Sequence, residues 1–198
     1  MQSAPLPRDE SERLAALDGL KVLDSLPEAE FDALVQAASL ACGVPISLIS
    51  LVAADRQWFK ANAGLPGATE TSREVAFCAH AILSDEVFEV PDATQDERFA
   101  DNPLVVGRPD IRFYAGAPLT LASGHRVGTL CVIDRAPRRL DGAQREVLRC
   151  LARAAVSALE ARRAVRLWRA NSGMAIADPR IRALYEAIPA MLHVTDGH

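Results

Sequence analysis

The chain has 198 residues, 49% of them apolar and 24% charged, the balance of a globular protein long enough to bury a core. Its formal net charge of −4 gives no basic face for nucleic acid, and only Lys21 and Lys60 among its 22 basic residues are lysine. No apolar run reaches bilayer length, and the opening "MQSAPLPRDESERL" has no apolar signal core. The expectation is a cytoplasmic segment with no nucleic-acid partner and no membrane contact. Cys42, Cys78, Cys131 and Cys150 are widely spaced, form no CxxC pair and sit among apolar neighbours. They read as reduced, buried thiols.

Residues 1–9, with Pro5 and Pro7, read as a flexible leader. From Ser11 to about Val22, Leu14, Leu17 and Leu20 recur at helical spacing. A second helix follows Pro27 and stops at Gly43 and Pro45, with Phe31, Leu34, Ala38 and Ala41 or Cys42 as its buried stripe. The period then changes. "ISLISLV", the polar turn "AADRQ" and "WFKANA" predict an antiparallel hairpin. Gly64, Pro66 and Gly67 open a loop, closed by a helix over "SREVAFCAHAIL" with Ser72 as its cap. "VFEVPD" is a short strand, and "ATQDERFADNPLV" a polar loop with a helical turn or two. "IRFYAGAPLTL" and "RVGTLCVID" form a second hairpin around "ASGH". Gly116 and Gly128 lie inside these strands, where glycine marks a bend, a bulge or the close approach of another group.

The longest helix is predicted from Ala143 to Arg169 and carries two apolar stripes. Leu148, Ala152, Ala155 and Leu159 form one, which ends at Arg162 and Arg166. Val147, Leu151, Ala154, Ala158, Ala161, Val165 and Trp168 form the other, at the 4,3 spacing of a coiled-coil seam. The second stripe outlasts the first, which points to a homodimer through this helix; a single amphipathic helix with an alanine-rich back is the alternative. "NSGMAIADPR" is expected to break the helix. "RIRALYEAIPAMLHVTDGH" then begins a helix and strand and stops, as at a truncation. Together these elements predict an α+β domain: an antiparallel sheet with helices on one face, and on the other a mid-domain helix and loops over a ligand-sized cavity.

Several segments in order, "LPEAEFDALVQAASLACGVPISLISLVAADRQWFKANAGL", "REVAFCAHAI", "VPDATQDERFADNPLV" and "IRFYAGAPLTLASGHRVGTLCVIDRAPRRL", resemble the GAF domain. The likeness is to the bacterial branch at the N-terminus of sensor histidine kinases and diguanylate cyclases. It covers about residues 10–165, with 143–169 partly linker, and residues 170–198 resemble a linker and the start of a PAS domain. The resemblance implies a regulatory module that binds a small ligand or mediates dimerisation and passes its state to an output domain, a histidine kinase or a cyclic-di-GMP enzyme. It implies no catalysis by this segment and leaves the ligand and any cofactor unnamed.

The stretch "FCAHAIL" sets Cys78 two residues from His80. On a helix such residues point about 200° apart, so the pair cannot share a ligand unaided. No Cys/His cluster supports zinc, since His193 and His198 lie in the tail. Bilin-binding GAF domains attach their chromophore at a cysteine directly followed by histidine; here Ala79 intervenes. The NKxD-type signature of cyclic-nucleotide GAF domains is missing too. Free methionine sulfoxide reductases use this fold with catalytic cysteines at another spacing, so a thiol-based redox sensor or reductase using Cys78 and Cys131 stands as the enzymatic alternative. A ligand-free dimerisation scaffold is a third. In "PDATQDERFADNP", Asp92, Asp96, Arg98, Asp101 and Asn102 read as turn caps and a loop-pinning ion pair. Arg112 and Tyr114 share one face of their strand. The candidate ligand-binding residues are Cys78, His80, Arg112, Tyr114 and Cys131.

Overall fold

A computed structural model describes residues 1–177, with side chains described through residue 171. The chain divides into two compact units, Met1–Glu160 and Ala161–His198. The PAS-like tail and the expected chain-end strand fall outside the described residues.

Every residue of strand β1 (Ile46–Val52) is buried. A strand buried on both faces needs a sheet partner on each edge and cover above and below. β1 pairs antiparallel with β2 (Arg56–Ala63) on one side and β6 (Arg126–Asp134) on the other. β3 (Glu70–Ser72) adds outside β2, while β5 (Phe113–Thr120) and β4 (Phe88–Val90) continue beyond β6. The six strands run in the order β3-β2-β1-β6-β5-β4, every pairing antiparallel. Both expected hairpins are present. Gly128 meets the close approach expected of it: a Cβ there would lie 2.0 Å from the Ser50 carbonyl oxygen.

Three helices cover one face. α1 (Glu10–Leu20) contributes Leu17 and Leu20, and α2 (Ala29–Cys42) contributes Phe31, Val35, Ala38 and Cys42. The stripe of α2 is rotated slightly from expectation, with Leu34 only partly buried and Ala41 exposed. α5 (Gly142–Ala177) lays Leu148, Ala152, Ala155 and Leu159 on the same core, the first of the two predicted stripes. It runs eight residues past the expected end at Arg169. Asn171, Ser172 and Gly173 lower helix propensity without stopping a helix, and the first proline comes only at Pro179.

The second face is covered more thinly. The helix expected over residues 72–83 is two pieces: a 3₁₀ turn at Arg73–Val75, capped by the Ser72 hydroxyl accepting from the Glu74 amide, then α3 (Phe77–Ala81). Ala76 between them is extended, which separates the pieces. α4 (Pro103–Val106) and its flanking loops complete this layer. Part of the leader is laid down here as well: the Gln2 amide donates to the Arg98 carbonyl, the terminal amine pairs with Asp101, and Ala4 packs on the apolar cluster. The polar loop behaves as its residue types predict. Asp92 accepts from the amide and hydroxyl of Thr94, Asp96 clasps Arg98, and Asn102 accepts from the Leu104 amide.

A polar clamp ties α1 to the end of β1. Buried Arg13 donates to Glu10 at 2.7 Å and to the Val52 carbonyl at 2.7 Å; Arg73 donates to Glu10 at 2.5 Å and to the Ala53 carbonyl at 3.0 Å. Burial pushes the Glu10 carboxyl up, but the two guanidinium groups outweigh it and hold its pKa at about 2 against an ordinary 4.5. The carboxylate therefore stabilises the fold fully above pH 4.5, and that contribution fades as pH falls toward 2. Glu10→Gln is expected to cost on the order of 3 kcal/mol at neutral pH and to flatten the acid limb of stability, read by urea unfolding across pH 2–7. An acid limb identical to that of the parent protein would contradict the clamp.

Candidate functional site

The thin cover over the second face leaves a cavity of about 670 Å³. Leu48, Phe59 and Ile133 line it from the sheet, Phe77 and Cys78 from α3, Leu104 from α4, and Leu65 and Ile111 from the loops. Exposed Arg108, Asp110 and Arg135 supply the charged part of the wall. An apolar chamber with few polar groups is the usual form of a small-molecule site.

Gln57 on β2 is one of those polar groups. It is only 5% exposed and lines the cavity; its Nε2 reaches Thr71 at 3.5 Å, while Oε1 has no hydrogen-bond partner. Such a buried amide oxygen costs about 1–3 kcal/mol until something donates to it. The sequence reading placed Gln57 in the turn before β2. Its alternation with Phe59 along the strand was the available signal.

The floor of the cavity holds two sulfurs. Registers Leu48↔Cys131 and Gly116↔Cys131 set Cys131 mid-sheet between β1 and β5, facing α3. Cys78 hangs from α3 with its sulfur 4.0 Å from that of Cys131. The Thr129 hydroxyl donates to Cys78 Sγ at 3.0 Å and the Tyr114 hydroxyl at 3.2 Å. Ser50, opposite Thr129 across β1 and β6, is buried and close to both sulfurs, although its hydroxyl makes no hydrogen bond of normal geometry. Burial pushes the Cys78 thiol up, but the donors around it together bring its pKa down to about 7. The Cys78 sulfur, and burial after it, hold Cys131 well above the usual thiol range. Burial and the neighbouring sulfurs likewise keep Tyr114 protonated, as a donor.

Tyr114 reaches Cys78 because Gly116 has no side chain: a Cβ there would lie 2.3 Å from the Tyr114 hydroxyl oxygen. Phe77 stacks on Phe99 at 4.0 Å and on Tyr114 at 5.2 Å, which fixes α3 above the ring.

Of the five residues singled out by sequence, Cys78, Tyr114 and Cys131 meet at the cavity. His80 and Arg112 do not. His80 lies against Phe88 and Phe99, with Nε2 3.1 Å from the Gln2 carbonyl, so the ring places a proton there; burial lowers its pKa and keeps it neutral. It faces away from Cys78, as helical spacing requires. Arg112 donates to the carbonyls of Val105 and Ile111, satisfying backbone groups around α4. Ser50, Gln57 and Thr129 were not singled out, since lone polar residues inside apolar strands look like ordinary strand positions. No group of three or more potential metal ligands occurs among the described residues.

Residues 26–159 match the GAF domain. The chain belongs to the GAF domain family. It is 50% identical over 138 residues to a Pseudomonas aeruginosa protein named cyclic di-GMP phosphodiesterase; the match takes in 70% of this chain and 23% of that relative. The chain thus spans about a quarter of the relative's length. Among solved structures it is similar to the GAF domain of an Acinetobacter phosphoenolpyruvate-protein phosphotransferase, at 18% identity and TM-score 0.59, over 81% of this chain and 98% of that one. It is also similar to the free methionine-R-sulfoxide reductase of Neisseria meningitidis, at 16% identity and TM-score 0.57, over 83% of this chain and 99% of that one. At such identities these structures speak for the fold alone, and the fold is the expected one.

The GAF sheet makes room for the Tyr114 ring only while residue 116 is glycine. Gly116→Ala is expected to displace the ring and cost about 1–3 kcal/mol of stability, with a changed near-ultraviolet tyrosine signal. Unchanged stability and spectrum would show that the ring is not held there.

Proposed function

We propose that this chain is the sensory part of a signalling protein. A small ligand binds in the cavity of the GAF domain, and the occupied and empty states are passed along α5 to an output domain. The observation that carries this reading is an apolar cavity of about 670 Å³ with the buried, unpartnered oxygen of Gln57 in its wall. Unfilled apolar volume and an unmatched amide both favour occupancy. The segment itself is regulatory rather than catalytic. The relative named cyclic di-GMP phosphodiesterase favours a cyclic-di-GMP enzyme over a histidine kinase as the output. Among the described residues no helix is long and apolar enough to cross a membrane.

A ligand moves the output only through different affinity for two arrangements, and a difference of about 1–3 kcal/mol is typical of such coupling. α5 is the covalent route: Leu148, Ala152, Ala155 and Leu159 are buried, whereas Val165, Leu167 and Trp168 are exposed. Val165 and Trp168 belong to the predicted seam, and on this reading the helix joins two copies of the chain in a homodimer.

The apolar dye 1-anilinonaphthalene tests the cavity, since its fluorescence rises on leaving water. The parent chain is expected to bind it with micromolar affinity, and Leu48→Trp, which fills the chamber, to weaken binding about tenfold or more. Equal binding by a folded Leu48→Trp protein would place the dye elsewhere and count against the cavity. For the dimer, sedimentation at high concentration is expected to show two copies, and Val165→Glu with Trp168→Glu to give monomers. A parent chain that stays monomeric throughout contradicts the seam.

A further inference from the structure

Cys78 and Cys131 carry more chemistry than a cavity wall requires. A neutral thiol sulfur is a weak acceptor. Yet the buried hydroxyls of Thr129 and Tyr114 both donate to Cys78 Sγ, at 3.0 and 3.2 Å. An apolar core would have Val and Phe at these positions without loss. Directing two hydroxyl protons at one sulfur suits a sulfur that carries negative charge. The second sulfur stands 4.0 Å away, and both residues line the cavity wall, Cys78 at 1% exposure and Cys131 wholly covered, so a solute in the cavity meets Cys78 first.

We infer that Cys78 and Cys131 form a two-electron thiol switch on the cavity floor, oxidised by a small hydroperoxide that enters the cavity, with a Cys78–Cys131 disulfide as product. The Cys78 thiolate attacks one oxygen of the peroxide. The O–O bond breaks, water (or an alcohol, from an organic peroxide) leaves after taking up a proton, and Cys78 becomes a sulfenic acid. Cys131 then attacks the Cys78 sulfur; the S–O bond breaks, and the hydroxyl leaves as water with the proton of Cys131. Two thiols lose two electrons in all, and hydrogen peroxide becomes two waters. Thr129 and Tyr114 act as positioning residues that hold the Cys78 sulfur as an anion facing its partner.

The product has a consequence for the cavity. A disulfide needs the sulfurs about 2.05 Å apart, so the 4.0 Å gap must close by roughly 2 Å. Cys131 is fixed in a central strand, whereas Cys78 rides on α3, five residues long and preceded by extended Ala76. The closure therefore falls to α3, which also carries the cavity-lining Phe77. Oxidation would draw this wall toward the sheet and reshape the ligand chamber. The switch uses the cavity only as an entrance for peroxide, so its outcome is separable from whether a ligand binds there.

The test is a thiol count on the folded, reduced 198-residue chain after a small molar excess of hydrogen peroxide, followed by denaturation and peptide mapping. Two of the four free thiols are expected to disappear, with Cys78 linked to Cys131 and the link reversed by dithiothreitol. Exposed Cys150 serves as the internal comparator and is expected to react more slowly. Cys131→Ser should trap the sulfenic acid at Cys78 as a dimedone adduct. Thr129→Val or Tyr114→Phe should slow oxidation about tenfold near neutral pH and move its pH profile upward, a shift that a purely structural role would not produce. Four surviving thiols would overturn the proposal, as would oxidation confined to Cys150 with Cys78 and Cys131 intact. The count on the parent chain needs no variant, so a misfolded mutant cannot shelter it.

Discussion

The structure depends on the burial of β1 on both of its faces. Seven apolar or small residues in succession cannot form an edge strand facing water, so β2 and β6 must flank them and two separate layers must cover them. The layers are unequal. On one side α1, α2 and α5 pack against Ile49, Leu51, Phe113, Ala115, Leu130 and Val132 in one continuous apolar cluster. On the other, helices of five and four residues and a set of loops leave a chamber above Leu48, Cys131 and Ile133. The cavity is thus what remains when a two-faced sheet receives one full helical layer and one partial one.

The same asymmetry explains why polar groups collect where they do. Under the helical layer most buried polar groups are matched, as with the Arg13–Glu10–Arg73 clamp at its margin and the Lys60 ammonium held by Glu28, Ser25 and the Leu26 carbonyl, while Glu89 gives one oxygen to Arg145 of α5 and keeps the other unpartnered. The partial layer tolerates groups matched only in part. Gln57 keeps a free oxygen there, and Cys78 gathers donors beyond what a thiol needs. The two mismatches lie on the same face of the sheet and line the same chamber. Their shared location is why ligand binding and thiol chemistry, though independent in principle, would both act on α3.

Much of the fold was legible because it follows from repeats of residue type. The two hairpins, the limits of α2 at Pro27 and Gly43, and the stripe Leu148, Ala152, Ala155 and Leu159 all follow from periodicity and breakers. β3 was not legible: "ETS" has no apolar alternation, and it is a strand because β2 offers an open edge and Arg56 pairs with Glu70. The break at Ala76 and the docking of Gln2 on Arg98 likewise come from tertiary contacts without a local signal. At the site, helical geometry separated Cys78 from His80 correctly, and the approach of Cys131 could be suspected. Nothing local marked Gln57, Ser50 or Thr129, whose meaning comes only from the register that brings β1, β2 and β6 together. Arg112 attracted attention as a charge in a strand, yet a guanidinium beside unpaired carbonyls is drawn to them first.

Native mass spectrometry of the gently purified 198-residue chain tests the central claim, that the chamber is kept for a guest, most directly. A population heavier than the polypeptide by one small molecule is expected, which collisional activation releases intact and which Gln57→Leu protein carries in lower yield. A chain that appears only at its polypeptide mass under those conditions, with Gln57→Leu more stable than the parent, would contradict it. The cavity would then be an uncompensated packing gap.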